Sequence, residues 1–402
     1  MPTPLSDSTI ALVKASVPAL EAKGLEITRT MYGRMFQDPA IRDLFNQSHH
    51  GGTGAQPRAL AAAVLAYAQN IDNLGVLLPA VERIAQKHVA LNILPEHYPA
   101  VGTALLGAIQ EVLGEAATPE IMAAWSEAYW FLAEVLIGRE AEVYRAQAAA
   151  RGGWNGWRDF RIAEKVRESE VITSFHLRPV DGGPVMRHRP GEYLTFWLNL
   201  PGHAPLKRNY SISAAPSGEG YRISVKREPQ GVVSNWLHDT AQVGTVLKTA
   251  APAGDFVLAD SQRPALFLSG GVGQTPLLSM LEDLLARRPE ARAHWVHGTQ
   301  SGATHAFGPH LRSLAARHPG LALDVFYEAP RPQDVQGRDH DHAGLPDAAW
   351  LLGETAAREA EIYLCGPRPF LRHFVGGLMR AGVPAERLHY EFFGPADELL
   401  AA

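Results

Sequence analysis

A chain of 402 residues, 46% of them hydrophobic, carries more apolar material than one small core uses, and its length points to two or three domains. Its 37 basic against 42 acidic side chains give a net charge of -5 with no long basic run, which excludes the electrostatic footprint of a nucleic-acid binder. The single cysteine, Cys365, rules out an internal disulfide framework or a thiolate metal cluster.

No basic segment followed by an apolar run opens the chain, and the most apolar helical stretch, residues 121–138, is interrupted by Glu127 and Glu134. A cytoplasmic protein without an integral membrane segment is expected. Residues 6–150 are rich in Ala and Leu and carry a helical period: Val81, Ile84, Ala85 and His88 share one face, and Glu120, Glu127 and Glu134 recur on a polar one. Pro18, Pro39, Pro57, Pro79, Pro95 and Pro119 punctuate the stretch at intervals suited to several helices with short connections. Arg151-Gly152-Gly153-Trp154-Asn155-Gly156 cannot continue a helix, so an all-α domain is placed over residues 1–150.

Short strand-like runs follow at 162–166, 171–178, 193–198, 221–227 and 246–249, separated by turns such as Asp181-Gly182-Gly183-Pro184 and Arg189-Pro190-Gly191. Their spacing predicts an antiparallel β-barrel over residues 151–260. From about residue 264 the texture becomes an apolar strand at 265–269, a glycine loop, a helix over 276–287, a strand over 293–298 and a late strand over 362–365. That alternation predicts an α/β domain with a parallel sheet over residues 261–402. The fold class is multidomain, with these three units in order and no internal repeat.

Three motifs carry chemistry. In Ile84-Ala85-Gln86-Lys87-His88 the ordinary reading of a lone histidine on an apolar helix face is a satisfied core residue, and 17 histidines make coincidence easy. Tyr98 and Glu140 change the weighing. A haem iron needs an axial imidazole, and a phenol or carboxylate bonded to the other ring nitrogen makes that imidazole a stronger electron donor. Arg208-Asn209-Tyr210-Ser211 reads as a flavin clamp. Gly270-Gly271-Val272-Gly273-Gln274-Thr275-Pro276, after a buried strand, reads as a dinucleotide loop whose small residues let the backbone approach a pyrophosphate at a helix N-terminus.

With Tyr32-Gly33-Arg34-Met35-Phe36, Val232-Val233-Ser234-Asn235-Trp236-Leu237-His238, Ala251-Pro252-Ala253-Gly254-Asp255-Phe256 and Tyr390-Glu391-Phe392-Phe393-Gly394-Pro395 in one order, nearly the whole chain resembles the flavohaemoglobins. These are fused globin and ferredoxin-reductase-type proteins that act as nitric oxide dioxygenases. The resemblance implies an NAD(P)H-dependent enzyme with haem b and FAD as cofactors. NO, O2 and NAD(P)H are its small-molecule partners, entry of lipid into the haem pocket is left open, and a monomer is the family expectation.

In the helical domain the resemblance makes His88 the iron ligand, Tyr98 and Glu140 its hydrogen-bonding relay, and Tyr32 the donor on the distal side. Phe45, Gln56 and Leu60 would complete the distal pocket. Pro57 pushes Gln56 towards non-helical geometry, so Gln56 is expected at or just before a helix start, with its reach to the ligand open. In the barrel the resemblance gives Arg208, Asn209, Tyr210 and Ser211 to the flavin, with Tyr193 lining it and Ser234 at a phosphate-binding helix start. In the last domain it gives Gly270 to Pro276, Cys365, Gly366 and Pro367 to the nicotinamide dinucleotide, and Phe392, Phe393, Gly394 and Pro395 to the closure over the flavin.

Cys365 is not expected to be a nucleophile, having no histidine beside it in sequence. Asp339-His340-Asp341-His342 and His49-His50 read as solvated turns rather than metal sites. Two other functions fit parts of the pattern: a flavin reductase whose globin serves alkyl hydroperoxides or another acceptor, and an O2 or NO sensor. The attached reductase argues against the sensor. NADH is favoured over NADPH because no arginine cluster follows the strand ending at Gly298.

Overall fold

The computed structural model describes residues 3–44 and 55–394. Among the described residues, one compact unit is built from those up to Gly156 together with Trp197–Lys207, and a second from Trp157–Phe196 and residues 208–394.

The first unit holds α1 (Asp7–Ala15), α2 (Val17–Met35), α3 (Pro39–Arg42), α4 (Ala55–Gln69), α5 (Leu78–Ala90), α6 (Tyr98–Leu113) and α7 (Pro119–Ala149). Ser6, Asp38 and Thr118 cap α1, α3 and α7 by accepting backbone N–H groups of the first turn. The prolines mark starts rather than breaks: Pro18, Pro39, Pro57, Pro79 and Pro119 each lie in the first turn of a helix, where the lost N–H has no partner to lose. The core gathers Leu20, Ile27, Met31, Tyr32, Tyr67, Ile109 and Trp125. Gly153 folds back on the end of α7, where a Cβ would stand 1.8 Å from the Gln147 carbonyl oxygen.

After Gly156 the chain forms β1 (Arg158–Arg167), β2 (Ile172–Pro179), β3 (Tyr193–Leu198), β4 (Leu206–Ser211), β5 (Tyr221–Lys226), α8 (Val232–Asp239) and β6 (Val246–Thr249). Their order in the sheet is β4-β3-β6-β1-β2-β5, with antiparallel pairing of β1 to β2, β1 to β6 and β2 to β5. An antiparallel bridge from Ile212 to Ile223 joins the two outer strands and closes the barrel.

Next come β7 (Ala265–Gly270), α9 (Gln274–Arg287), β8 (Ala293–Thr299), α10 (Gly308–Arg317), β9 (Leu321–Tyr327), β10 (His342–Ala343), α11 (Ala348–Glu354), β11 (Glu361–Cys365), α12 (Arg368–Arg380) and β12 (Leu388–Glu391). The strands pair in parallel in the order β10-β9-β8-β7-β11-β12. Both faces are covered, as a parallel sheet requires. Phe267, Trp295 and Tyr363 pack with Leu277, Leu281 and Leu311, and Leu266, Leu268, Val296 and Ile362 pack with Leu371, Phe374 and Leu378.

Candidate haem, flavin and dinucleotide sites

His88, Tyr98 and Glu140 lie on α5, α6 and α7, and the packing of those helices brings them together. His88 Nδ1 is 2.7 Å from Glu140 Oε1, and the Tyr98 hydroxyl donates to the same oxygen at 2.5 Å. The phenol is also 3.1 Å from His88 Nδ1. With Nδ1–H given to the carboxylate, the tautomer is set and Nε2 is left with its lone pair. Glu140 is buried and its Oε2 has no hydrogen-bond partner, so both donors load one oxygen. Burial, reinforced by the Glu140 charge, holds the Tyr98 phenol far above its ordinary pKa. The His88 side chain remains 31% exposed, so a ligand can reach Nε2. This donor set suits a haem iron.

Three residues outside the candidate set hold the trio in place. Tyr129 donates to the Tyr98 carbonyl at 2.6 Å, and Tyr144 donates to the Ile93 carbonyl at 2.8 Å, just before α6. Arg139, beside Glu140, forks onto Glu82 of α5 at 2.6 and 3.0 Å, tying the two helices that carry His88 and Glu140. The signal was available for Arg139, which adjoins a candidate, but not for Tyr129, whose partner is a backbone atom.

On α2, Tyr32 is buried with Leu60 of α4 packed against the same cluster. Burial raises the Tyr32 phenol to about 12, an effect moderated by its hydrogen bond with Gln56. Gln56 sits inside the first turn of α4 with Pro57, rather than before the helix. Thr28 donates to the Pro57 carbonyl at 2.8 Å and so fastens this turn to α2. Tyr32, Gln56 and Leu60 are therefore brought together; Phe45 and His49-His50 lie outside the described residues.

In the barrel, Tyr193 on β3 is buried and its hydroxyl has no hydrogen-bond partner. Gly254, at φ +134°, lies against the ring, where a Cβ would come 3.2 Å from it. Tyr210 on β4 packs against Phe196 at 5.9 Å, and burial lowers the pKa of the neighbouring Arg208 guanidinium. Asn209 is exposed and accepts from Thr195 at 2.9 Å, while Ser211 is buried at the strand end. Arg189 donates to Glu192 Oε1 and to the Gly254 carbonyl, each at 2.8 Å, bracketing the turns on either side of Tyr193.

The α8 helix starts at Gly231 with no side-chain cap. Its first N–H groups can therefore serve an anion. The Ser234 hydroxyl is committed elsewhere: it donates to the Gly231 carbonyl at 3.3 Å and accepts from Glu228 N at 3.2 Å. An aromatic slot with an unpartnered hydroxyl, a guanidinium and an uncapped helix start together suit a flavin diphosphate.

The two glycine loops of the last domain pack backbone against backbone. At Gly273 a Cβ would lie 2.1 Å from the Cys365 carbonyl oxygen and 2.8 Å from Gly366 N, and at Gly270 it would meet Pro367 at 3.0 Å. Gly271 takes φ +55° at the turn itself. Val272 accepts from the Thr275 hydroxyl at 3.1 Å, and Gln274, Thr275 and Pro276 are buried in the first turn of α9. The Cys365 thiol is fully buried and its pKa is raised by burial, which matches a packing role. Phe392 takes the Arg368 guanidinium on its ring face and Phe393 is half exposed; Gly394 spares a Cβ that would meet Phe392 at 2.4 Å. Pro395 lies outside the described residues.

The stretch 339–342 is not a solvated turn. His340 is buried and stacks on Tyr327 at 4.7 Å, Asp341 pairs with Arg312, and His342 meets Asp324 at 2.6 Å. Side chains of alternating direction serve both sides of the sheet edge. Among the described residues no cluster of three or more ligating side chains suits a metal ion.

These features define a class: a globin-type helical domain followed by a flavin- and nicotinamide-dinucleotide-binding oxidoreductase module. The Globin family profile matches residues 29–136, an oxidoreductase FAD-binding domain matches 159–258, and an oxidoreductase NAD-binding domain matches 267–375. A flavohemoprotein of Xylella fastidiosa is 50% identical, covering 100% of both chains, and one of Rhodopirellula baltica is 45% identical over 99% of this chain and 100% of its own. The chain belongs to the flavohemoprotein family. A flavohemoglobin from Malassezia yamatoensis, solved with bound FAD and heme, superposes with a TM-score of 0.86 at 27% identity, covering 98% of this chain and 100% of that one. The FAD/NAD-binding domain of a nitric oxide dioxygenase from Vibrio cholerae matches at a TM-score of 0.54 and 36% identity, covering 59% of this chain and 99% of its own. No helix among the described residues is long and apolar enough to cross a membrane.

Proposed function

We propose that the protein is a nitric oxide dioxygenase that joins NO to O2 as nitrate and draws its electrons from NADH through FAD to haem b. The observation that carries this reading is the loading of Glu140 Oε1 by both His88 and Tyr98, on a chain that also carries the reductase. An imidazole so bonded acquires anionic character, which favours activation of O2 over its storage.

When bound, the haem supplies an iron that takes a diatomic gas and single electrons, and the flavin supplies the division of a hydride into single electrons. His88 would hold the iron through Nε2, with Glu140 keeping the proton on Nδ1. Tyr32, whose phenol stays protonated at neutral pH, directs that proton at negative charge developing on the distal side, and Gln56 fixes the direction. Arg208 neutralises the diphosphate, Tyr193 and Tyr210 flank the ring system, and the paired loops at Gly273 and Gly366 hold the nicotinamide end. The overall balance is two NO, two O2 and one NADH to two nitrates, NAD+ and one proton.

The same reading takes domain boundaries near residues 150 and 260 and a monomer working in the cytoplasm. NADH is the donor because no arginine cluster follows β8, the strand after which a 2'-phosphate would be recognised. The test is nitric oxide consumption by the haem- and FAD-loaded chain under air. About two nitrates per NADH oxidised are expected from one hydride serving two single-electron reductions. Rapid NADH oxidation without nitrate would transfer the haem to another acceptor, such as an alkyl hydroperoxide.

A further inference from the structure

One half-buried cation is used by none of the chemistry above. Lys165, on β1, sends its ammonium under the end of α8 and donates to three backbone carbonyls, Leu237 at 3.1 Å, His238 at 2.7 Å and Ala241 at 2.9 Å. The last carbonyls of a helix have no partner within it and carry the negative end of its dipole. Three converging acceptors match the three protons of an ammonium, which no neutral side chain supplies. The group is 5.6 Å from the centre of the Phe175 ring. His238, in the last turn, adds a second tie by donating from Nε2 to the Val225 carbonyl at 2.8 Å.

This helix has eight residues, little more than two turns. Its C-terminal end is thus fastened to the barrel by side chains, while its N-terminal end at Gly231 has no side-chain cap. The start of the helix is tied to the turn just before it, Ser234 accepting from Glu228 N at 3.2 Å and Asn235 Nδ2 donating to the Glu228 carbonyl at 3.0 Å, so the anchorage to the barrel at the other end sets the height and direction of the N–H groups that can face an anion.

We propose that Lys165 is a positioning residue for the flavin diphosphate, setting from the C-terminal end of α8 the placement of the N–H groups at its start. This rests on the reading of the barrel as the FAD site. The residue touches no part of the ligand; it acts through the helix. Its loss should weaken only ligands that carry the diphosphate, because the ring system rests on Tyr193 and Tyr210 of β3 and β4.

The experiment measures binding of FAD and of riboflavin, which has the ring and ribityl chain but no phosphate, to the flavin-free full-length chain. Lys165→Met is expected to weaken FAD about tenfold, in line with loss of a charge at a helix end, and to leave riboflavin within a factor of about two. Lys165→Arg keeps the charge on a planar fork that cannot meet three converging carbonyls, and its FAD affinity should fall between the two. Lys248→Met removes an exposed charge from β6 and should change neither ligand. Equal weakening of FAD and riboflavin in Lys165→Met, or no weakening of either, overturns the proposal. If that variant does not fold, Lys165→Arg decides it by the same ratio of FAD to riboflavin. Failure of the unaltered chain to bind FAD would instead remove the reading of the barrel.

Discussion

The proposed haem pocket and the proposed dinucleotide loops are built by opposite means. In the helical unit the chemistry rests on side chains: His88, Tyr98 and Glu140 come from three different helices, and each contributes atoms beyond Cβ. In the loops of the last domain it rests on the absence of side chains, with Gly273 packed on the backbone of Cys365 and Gly366. Side-chain sites tolerate substitution structurally and fail chemically. Backbone sites fail by collision.

The sharpest break of that contrast uses one substitution at two glycines. Gly273→Ala drives a Cβ to 2.1 Å from the Cys365 carbonyl oxygen, where both neighbours are backbone. It should destabilise the loops by about 3 kcal/mol or more and abolish saturable flavin reduction by NADH, while the haem spectrum stays normal. Gly138→Ala, mid-helix in α7 with nothing within 4 Å of the added atom, should raise thermal stability by up to about 1 kcal/mol. Loss of stability in both would erase the distinction.

Tyr32→Phe removes one hydroxyl and little volume. Nitrate turnover should fall about 100-fold, the usual cost of one preorganised donor, with NADH-to-flavin transfer unchanged in stopped flow. Unchanged turnover would withdraw the distal assignment.

The buried polar groups of the second unit give it an acid sensitivity of its own. His188 donates to the Ala214 carbonyl at 3.0 Å and lies 3.1 Å from Ser279, and burial lowers its pKa from 6.5 to about 4. Between pH 6.5 and 4 the unfolded chain takes a proton that the folded chain refuses, so stability falls as pH drops through this window and the histidine costs nothing above it. The span corresponds to at most about 3 kcal/mol. Thermal unfolding of His188→Gln followed from pH 7 to pH 4.5 should be flatter than that of the unaltered chain; parallel curves would assign the acid sensitivity elsewhere.

The smallest expected effect is spectroscopic. Glu140→Gln keeps a hydrogen bond to His88 and removes the negative charge, so the iron–histidine stretching frequency should drop with a cost in stability of about 1–2 kcal/mol. An unmoved frequency would show that the carboxylate does not reach the iron through the ring.

Much of this was legible in the sequence because the relevant signals are local. The proline positions mark helix starts by their own stereochemistry, and the strands at β3, β7 and β11 are short apolar runs bounded by glycine. What escaped depends on distant partners. β9, Leu-Ala-Leu-Asp-Val-Phe-Tyr, carries an Asp whose place becomes intelligible only when His294 and His342 are seen on its two oxygens. Ser234 lies in the motif that the resemblance assigns to phosphate binding, yet its hydroxyl is spent on the turn before the helix. Gln56 falls at the helix start that Pro57 marks, but its hydrogen bond with Tyr32 depends on how α4 packs on α2. Lys165 is one lysine among many until three carbonyls 72 to 76 residues away are found around it.

With His88 as the proposed iron ligand, the unequal use of the two Glu140 oxygens would make the donor strength of that ligand adjustable. Charge is concentrated on Oε1, and Oε2 is a vacant terminal within the protein interior. A hydroxyl introduced within reach of Oε2 would divide that charge, relax the pull on the imidazole proton and raise the potential of the iron, all without altering any residue of the trio. Natural variants and designed ones could thus tune the same enzyme towards faster reduction or firmer gas binding through a position that neither ligates nor reacts.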